Sequence, residues 1–194
     1  MLNIHLAFCI ALLSGATCKF YDDIVDIWKV DKGILLEGAQ IALICFMTLF
    51  LIQDMTITLL FVAYTIICNL QGTADTVFWR AGGIVPLVAV CYHLLSADSH
   101  LQSLSLSFTQ SLSQIVFILL TAIGVYAESS IFPEEVSWKK VAARTALLPL
   151  FAAAYYFTYD NPEFHYLSLI AGWTIGYNTI SVGFQLQNLL KTPA

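Results

Sequence analysis

A block of acids and bases between Lys19 and Lys32 is the part of this sequence best equipped for chemistry. It is the densest run of charge in a chain that is 59% hydrophobic and only 11% charged. In a helix, Asp22 and Asp26 lie one above the other on one face, with Asp23 beside them, because residues three and four positions apart are neighbours. Carboxylates this close repel one another, and a divalent cation that takes their oxygens as ligands removes the repulsion. The block therefore predicts a metal site.

A plainer interpretation of the same block is a solvated acidic turn. The lysines of the stretch would then neutralise its acids, and exposed ion pairs of this kind contribute little to stability. The residues concerned are Lys19, Lys29 and Lys32 on the basic side and Asp22, Asp23, Asp26 and Asp31 on the acidic side.

The composition predicts a helical protein that crosses a membrane several times. The mean hydropathy is +0.79 over 194 residues, and apolar runs recur from one end of the chain to the other. We therefore expect a single all-α transmembrane domain over residues 1–194, in an integral, multi-pass location. The formal charge of −5 argues against nucleic acid as a partner. The five cysteines fall in or at the ends of apolar runs, so we expect them to be small buried hydrophobes.

About seven segments have the length and apolarity of a membrane-spanning helix. Short polar breaks separate them, including the turn at Gln53-Asp54 and the stretch Gln71 to Asp75. The longest connection runs from Ala127 to Lys140. The expected spans are Leu2–Cys18, Ile34–Ile52, Met55–Asn69, Val77–Leu95, Leu104–Tyr126, Val141–Tyr159 and Phe164–Leu190.

The basic residues predict how these spans are oriented. All eight Lys and Arg fall in the odd-numbered connections, in the first turn of the span that follows one, or in the C-terminal tail, while the even-numbered connections carry acids and no Lys or Arg. Because cytoplasmic connections are enriched in Lys and Arg, we expect the N-terminus outside and the C-terminus inside. The eight residues are Lys19, Lys29, Lys32, Arg80, Lys139, Lys140, Arg144 and Lys191.

This topology gives the bundle a polar cytoplasmic end. Acids from several connections lie there, among them Asp75 and Glu128, next to the bases of the same connections. Asn69 and Asn178 lie within a few turns of that end, on the third and seventh spans. Acids beside bases at one end of a bundle can bind a metal and a phosphorylated ligand together. The alternative is that connections must be polar in any case, which explains loop acids better than polar residues inside spans.

The acid block resembles the first motif of the UbiA superfamily of intramembrane prenyltransferases, N-D-x-x-D-x-x-x-D. The sequence Asp22-Asp23-Ile24-Val25-Asp26 matches D-D-x-x-D, with Asp22 in place of the Asn and the last acid, Asp31, one residue late. That family then has a basic cytoplasmic connection two helices later, where this chain has Arg80. A second acidic motif follows in the family, where this chain has Glu128, Glu134 and Glu135 before Lys139 and Lys140, without a D-x-x-x-D.

The resemblance implies Mg²⁺-dependent chemistry on an isoprenyl diphosphate. It assigns Asp22, Asp23, Asp26 and Glu128 to the metal, Arg80, Lys139 and Lys140 to the leaving diphosphate, and Asn69, Asp75 and Asn178 to substrate binding. The apolar bundle would house the prenyl tail, and an acceptor would attack the allylic carbocation. Because the second aspartate motif is missing, binding of such a lipid without catalysis stays open.

Two other functions fit the same predicted topology. Seven spans with the N-terminus outside are also found in transporters, channels and receptors, although the seventh span has no lysine for a retinal Schiff base and no N-P-x-x-Y. A non-catalytic subunit of a larger membrane complex would suit the short connections and would have a membrane protein as its partner.

The predicted orientation can be tested by cysteine accessibility labelling. Asp98→Cys and Ser137→Cys should react with an impermeant reagent from opposite faces of the membrane, because the fourth and fifth connections lie on opposite sides. Labelling of both positions from the same side would contradict the seven-span topology.

Overall fold

A computed structural model describes residues 3–26, 28–30, 33–71, 84–96, 138–159 and 165–191. Within these ranges every regular element is an α-helix, so the all-α prediction is confirmed for this part of the chain. The predicted span Leu104–Tyr126 and the first residues of the span Val77–Leu95 lie outside the described residues. The helices are α1 (Ile4–Asp26), α2 (Ile34–Leu51), α3 (Met55–Gln71), α4 (Ile84–Leu95), α5 (Trp138–Tyr159) and α6 (His165–Lys191).

Three of the described helices are long and apolar enough to cross a membrane, namely α1, α2 and α5 up to Thr158. Their lengths of 23, 18 and 21 residues reach the roughly 17–25 that a span requires. This agrees with the membrane location expected from the composition. The longest helix, α6, is not among these three, and it packs against both α1 and α5.

The chain divides into two compact units. Unit 1 comprises residues Met1–Gln53 and Glu135–Ala194, and contains α1, α2, α5 and α6. Unit 2 comprises Asp54–Glu134, in which α3 packs against α4. The expectation of one domain over the whole chain stays a prediction. The candidate site described below lies within unit 1.

The first helix is longer than its apolar run predicted. The predicted boundary at Cys18 is wrong, because α1 continues to Asp26 and carries the acid block inside the helix. Apolarity marks where a helix can face lipid, whereas helical structure continues until a helix-breaking residue ends it. The residues from Lys19 to Asp26 include neither glycine nor proline. The end is marked by Lys29, whose φ of 51° turns the chain into the left-handed region.

Glycine sets the spacing between α1 and α6. Gly172 and Gly176, a G-x-x-x-G pair, lie directly against the α1 backbone, and a Cβ at Gly176 would collide with the carbonyl oxygen of Leu12. Gly15 makes the reciprocal contact from α1, against the backbone of Trp173. Small residues in this pattern let two helices approach until their backbones touch, which is how helices associate without a hydrophobic driving force in lipid.

Contacts along the helices fix their relative directions in unit 1. Phe8 and Leu12 of α1 face Gly172 and Gly176 of α6 in the same order, so these two helices are parallel. The Ser14 hydroxyl of α1 donates to the Phe46 carbonyl of α2 at 2.6 Å. Ser14 and Phe46 lie about the same number of residues from the connection between the two helices, so α2 is antiparallel to α1.

The fifth helix is also antiparallel to α1. The His5 ring at the start of α1 is hydrogen-bonded to the hydroxyl of Tyr155 near the end of α5. The C-terminal end of α1 and the N-terminal end of α5 therefore lie at the same end of unit 1.

The glycine contact can be tested with a matched pair of substitutions on α6. Gly176→Ala should lower the free energy of unfolding by about 2 kcal/mol or more, because the added methyl meets backbone that cannot move aside. Gly183→Ala should be neutral or slightly stabilising, since a Cβ there meets nothing within 4 Å and alanine is the better helix former. Unfolding in detergent measures both, and equal stability of the two variants would contradict the close approach of α1 and α6.

Candidate functional site

The site begins with a three-way ionic contact on the last two turns of α1. The ammonium Nζ of Lys19 lies 2.7 Å from Oδ2 of Asp22 and 2.8 Å from Oδ1 of Asp23. The spacings of three and four residues put all three side chains on adjoining positions of the helix surface. The side chain of Asp23 is only 4% exposed and that of Lys19 only 14%, so this contact is largely shielded from water.

A second buried polar contact joins α5 to α6. The Nη1 atom of Arg144 donates to Oδ1 of Asn178 at 3.2 Å, and both residues are buried. The amide nitrogen of Asn178 in turn donates to the carbonyl of Thr174, one turn earlier on α6, at 3.0 Å. This second bond fixes the orientation of the amide so that its oxygen faces the guanidinium.

Tyr177 connects the two contacts. Its ring has the Lys19 ammonium 5.6 Å from its centroid and the guanidinium carbon of Arg144 at 5.5 Å. Both distances lie within the roughly 6 Å at which a cation is attracted to the face of an aromatic ring. Arg144 is also close enough to Asp23 for the two charges to attract each other.

We refer to these residues as the charged cluster, which lies where α1, α5 and α6 meet. It holds two cations and two carboxylates, so its net charge is zero. That balance matters because a buried charge without a partner is far more costly than a paired one. The members are Lys19, Asp22, Asp23, Arg144, Tyr177 and Asn178.

Three aromatic rings pack together beside the charged cluster, at the same end of unit 1. Trp28 lies 5.0 Å from Phe184 and 6.3 Å from Phe20, centroid to centroid, and Phe20 lies 6.1 Å from Phe184. These rings join α1, the segment after it and α6. They place apolar surface beside the ion pairs, which helps to shield them from water.

The predicted metal ligands on α1 divide between two environments. Asp23 is buried, Asp22 is half-buried and Asp26 is exposed. Lys19 binds the first two, so the interpretation of the block as an entirely solvated turn is wrong for Asp23. Within the described ranges no group of three or more His, Cys, Asp or Glu side chains could hold a metal. The fourth predicted ligand, Glu128, lies outside those ranges.

The remaining predicted site residues are dispersed. Lys139 is exposed and Lys140 half-buried in the first turn of α5. Asn178 belongs to the charged cluster, while Asn69 is on α3 in unit 2, where the structure describes its backbone position alone. Arg80 and Asp75 lie outside the described residues. The structure therefore brings together Asp22, Asp23 and Asn178 through Lys19 and Arg144.

Lys19 was named in the sequence only as a counter-charge of the solvated-turn interpretation, and its pairing with Asp22 and Asp23 is seen in the structure. Arg144 was counted only as a basic residue of the fifth connection, although it lies inside α5 and is 9% exposed, and Tyr177 was not named. Two signals could have revealed them. Lys19 precedes its two acids at the helical spacings i, i+3 and i+4, and Arg144 is an arginine inside an otherwise apolar span.

The cysteines differ from their predicted environment. Cys18 is buried as expected, but Cys9, Cys45 and Cys91 are exposed on helix surfaces. The prediction that they are buried is wrong for these three, because a helix facing lipid presents apolar residues outward as readily as inward.

Comparisons with protein-family models, with curated proteins and with solved structures found no match. The function of this chain therefore has to be argued from its own residues.

Removal of the positive charge of Lys19 should show how strongly the charged cluster holds α1 to α6. Lys19→Met should lower the free energy of unfolding by about 3–5 kcal/mol, because it leaves two carboxylates, one of them buried, without their partner. Lys29→Met is the matched control, since Lys29 is exposed, and should change it by less than about 0.5 kcal/mol.

The double variant Lys19→Met/Asp23→Asn tests whether the two charges are coupled. It should be clearly less destabilised than the sum of the single variants, because removal of one charge makes the other unfavourable. Strict additivity in detergent unfolding would contradict the ion pair.

Proposed function

We propose that this chain is a multi-pass membrane protein, similar to the UbiA prenyltransferases, that binds an isoprenyl diphosphate together with Mg²⁺. The site would lie at the end of unit 1 that carries the charged cluster. The observation that carries the proposal is the meeting of the acidic C-terminal end of α1 with the basic N-terminal end of α5. Carboxylates and bases at one end of a bundle are the groups that a metal–diphosphate ligand needs.

The helix directions support the seven-span topology on which this proposal depends. Because α2 is antiparallel to α1, it ends at the opposite end of unit 1 from the charged cluster, whereas α5 begins at the cluster's end. If both helices cross the membrane, these directions are consistent with the three spans that the sequence predicts between them. The cluster's end, with Lys139 and Lys140, would then be cytoplasmic.

The accessible carboxylates fit the preferences of Mg²⁺. This ion usually takes one or two carboxylates and completes its shell with water and substrate phosphate oxygens. Asp22 and Asp26 lie one turn apart on α1, half-buried and exposed, and so offer two carboxylates toward one side. Asp23 is the least accessible of the three, and Lys19 pairs with one oxygen of Asp23 and with one oxygen of Asp22.

When bound, Mg²⁺ would supply positive charge that favours departure of the diphosphate. Lys139 and Lys140 would stabilise the same negative charge by electrostatic attraction, and the matching role of Arg80 stays a prediction of the sequence. The bond between the prenyl carbon and the diphosphate oxygen breaks with its electron pair on the oxygen. The acceptor forms the new bond to the allylic carbocation and releases a proton. The apolar helices of unit 1 would enclose the prenyl chain. The substrate roles expected for Asn69, Asp75 and Asn178, and the metal role expected for Glu128, stay predictions of the sequence.

The aspartates provide the direct test of this function. Asp22→Asn and Asp26→Asn should each abolish Mg²⁺-dependent binding of a prenyl diphosphate, because each removes a ligand oxygen and a unit of negative charge from a hard-cation site. Asp31→Asn is the control: Asp31 lies five residues beyond Asp26 in sequence and should be tolerated.

Binding of a labelled prenyl diphosphate with and without Mg²⁺ measures the effect, and thermal unfolding confirms that each variant is folded. Parent-like binding by Asp22→Asn and Asp26→Asn, or a parent without Mg²⁺-dependent binding, would refute the proposal.

A transporter-like function is the second candidate, and the buried charges favour it. Ionisable residues between membrane helices are characteristic of substrate and ion pathways, and Asp23 and Arg144 are both buried in unit 1. Uptake measured in vesicles, compared between the parent and Arg144→Leu, distinguishes this candidate from a prenyl diphosphate site.

A further inference from the structure

Three buried side-chain oxygens in unit 1 are left without a hydrogen-bond partner in the described structure: Oδ2 of Asp23, Oγ of Ser181 and Oε1 of Gln185. Their residues are 3%, 1% and 5% exposed, respectively. Buried polar atoms are nearly always paired, so each unpaired one requires an explanation. Two buried nitrogens of the same unit, Nε of Arg144 and Nε1 of Trp173, also have no acceptor within hydrogen-bond distance in the described structure. They need an acceptor, whereas the three oxygens need a donor or a cation.

Two of these oxygens lie on the face of α6 that is turned toward the charged cluster. Asn178, Ser181 and Gln185 follow one another at spacings of three and four residues, which places them along one side of the helix. Asn178, the first of them, accepts the hydrogen bond from Arg144. Ser181 and Gln185 continue the same face toward the C-terminal end of α6.

The third oxygen comes to this junction from α1. Asp23 is bound through its other oxygen to Lys19, which lies over the ring of Tyr177, and it is attracted by Arg144. Because α1 and α6 are parallel and in backbone contact, equal steps along the two helices stay at about the same level. Lys19 is level with Tyr177 and Asn178, and Asp23 lies one turn beyond Lys19. Asp23 therefore lies at the level of Ser181 and Gln185.

The orientation of Ser181 distinguishes it from other buried hydroxyls of the bundle. Ser168 and Thr158 each donate to a carbonyl of their own helix at 2.7 Å. That bond is the usual solution for a hydroxyl inside a helix. Ser181 makes no such bond although its own helix offers the same acceptor, so its hydroxyl is directed elsewhere.

We infer that Asp23 Oδ2, Ser181 Oγ and Gln185 Oε1 are ligands of a small monovalent cation, Na⁺ or K⁺, at the junction of α1, α5 and α6. Carboxylate, hydroxyl and amide oxygens are hard ligands suited to such ions rather than to Zn²⁺ or Cu⁺. Asp23 also lies in the last turn of α1, where the negative end of the helix dipole attracts a cation. The inference goes beyond the proposed Mg²⁺ site, which uses the outer carboxylates Asp22 and Asp26.

The charge balance of the junction selects a monovalent rather than a divalent ion. Lys19 and Arg144 already compensate Asp22 and Asp23, so the cluster is neutral before any ion binds. A divalent ion would add two uncompensated charges in a poorly solvated interior, and a single shared carboxylate could not offset them. A monovalent ion adds one charge, which polar oxygens and the helix end can stabilise.

The test is thermal unfolding of the purified full-length protein in detergent, in NaCl, KCl or choline chloride at constant ionic strength. The parent should unfold at a higher temperature in Na⁺ or K⁺ than in choline, and the increase should saturate with concentration. The same midpoint in all three salts would overturn the inference.

Ser181→Ala and Ser168→Ala form the matched pair of variants. Ser181→Ala should weaken the apparent affinity for the cation about tenfold or more, because it removes a ligand. Ser168→Ala removes a buried hydroxyl from the same helix but leaves the affinity unchanged. Equal salt dependence of the two variants would refute the assignment.

A further variant separates this site from the Mg²⁺ site. Asp26→Asn should keep the full response to the monovalent cation even where it loses Mg²⁺-dependent diphosphate binding. Loss of the monovalent response in Asp26→Asn would show that the two sites are one, and would overturn the inference without bearing on the prenyl diphosphate proposal.

Discussion

The direct backbone contact between α1 and α6 is the constraint on which the rest of unit 1 depends. Helices that carry larger residues at their interface stand apart by the width of those side chains, roughly 8–10 Å between axes. Here Gly15, Gly172 and Gly176 remove that spacing. The side chain of Lys19 on α1 can therefore lie over the ring of Tyr177 on α6, so the close approach of the helices joins the local ion pairs of α1 to the rest of the charged cluster.

Charge compensation explains why the polar residues of α6 take the positions they do. A helix placed between two others need not present an apolar surface on every side, and α6 is accordingly less apolar than α2. Its polar face holds Asn178 against Arg144, which allows an arginine to lie inside α5 without an exposed guanidinium. The low apolarity of α6 and the burial of Arg144 are thus two consequences of one arrangement.

Much of this architecture follows from sequence patterns, and the part that does not has a physical reason. The apolar runs correctly predicted helices near Ile34–Ile52, Met55–Asn69 and Phe164–Leu190. The predicted break at Gln53-Asp54 is a turn, in which Oδ1 of Asp54 accepts a hydrogen bond from the Thr56 N–H at 2.7 Å. Hydropathy failed at the end of α1, because it detects lipid-facing surface and not helical structure.

The charged cluster could not be predicted for a different reason. Its members come from three helices that are far apart in sequence, and only the contact between Lys19 and its two acids is local. The partnership of Arg144 with Asn178 depends on which faces of α5 and α6 meet, and a single sequence does not encode that choice in its periodicity. The G-x-x-x-G pair in α6 is a sequence signal for close helix packing, but the sequence prediction did not use it.

The acids of α1 lie on two sides of the helix because an α-helix turns by about 100° per residue. Asp22 and Asp26 are separated by four residues and share one side, whereas Asp23 is turned inward by one step, which is why it is buried while Asp26 is exposed. One motif can thus serve a ligand at the accessible end of the bundle and a fixed charge inside it. Lys19 contacts Asp22 and Asp23 at almost equal distances. Any cation that binds Asp22 therefore changes the charge that Asp23 experiences. The outer and inner carboxylates are electrostatically linked through that single lysine.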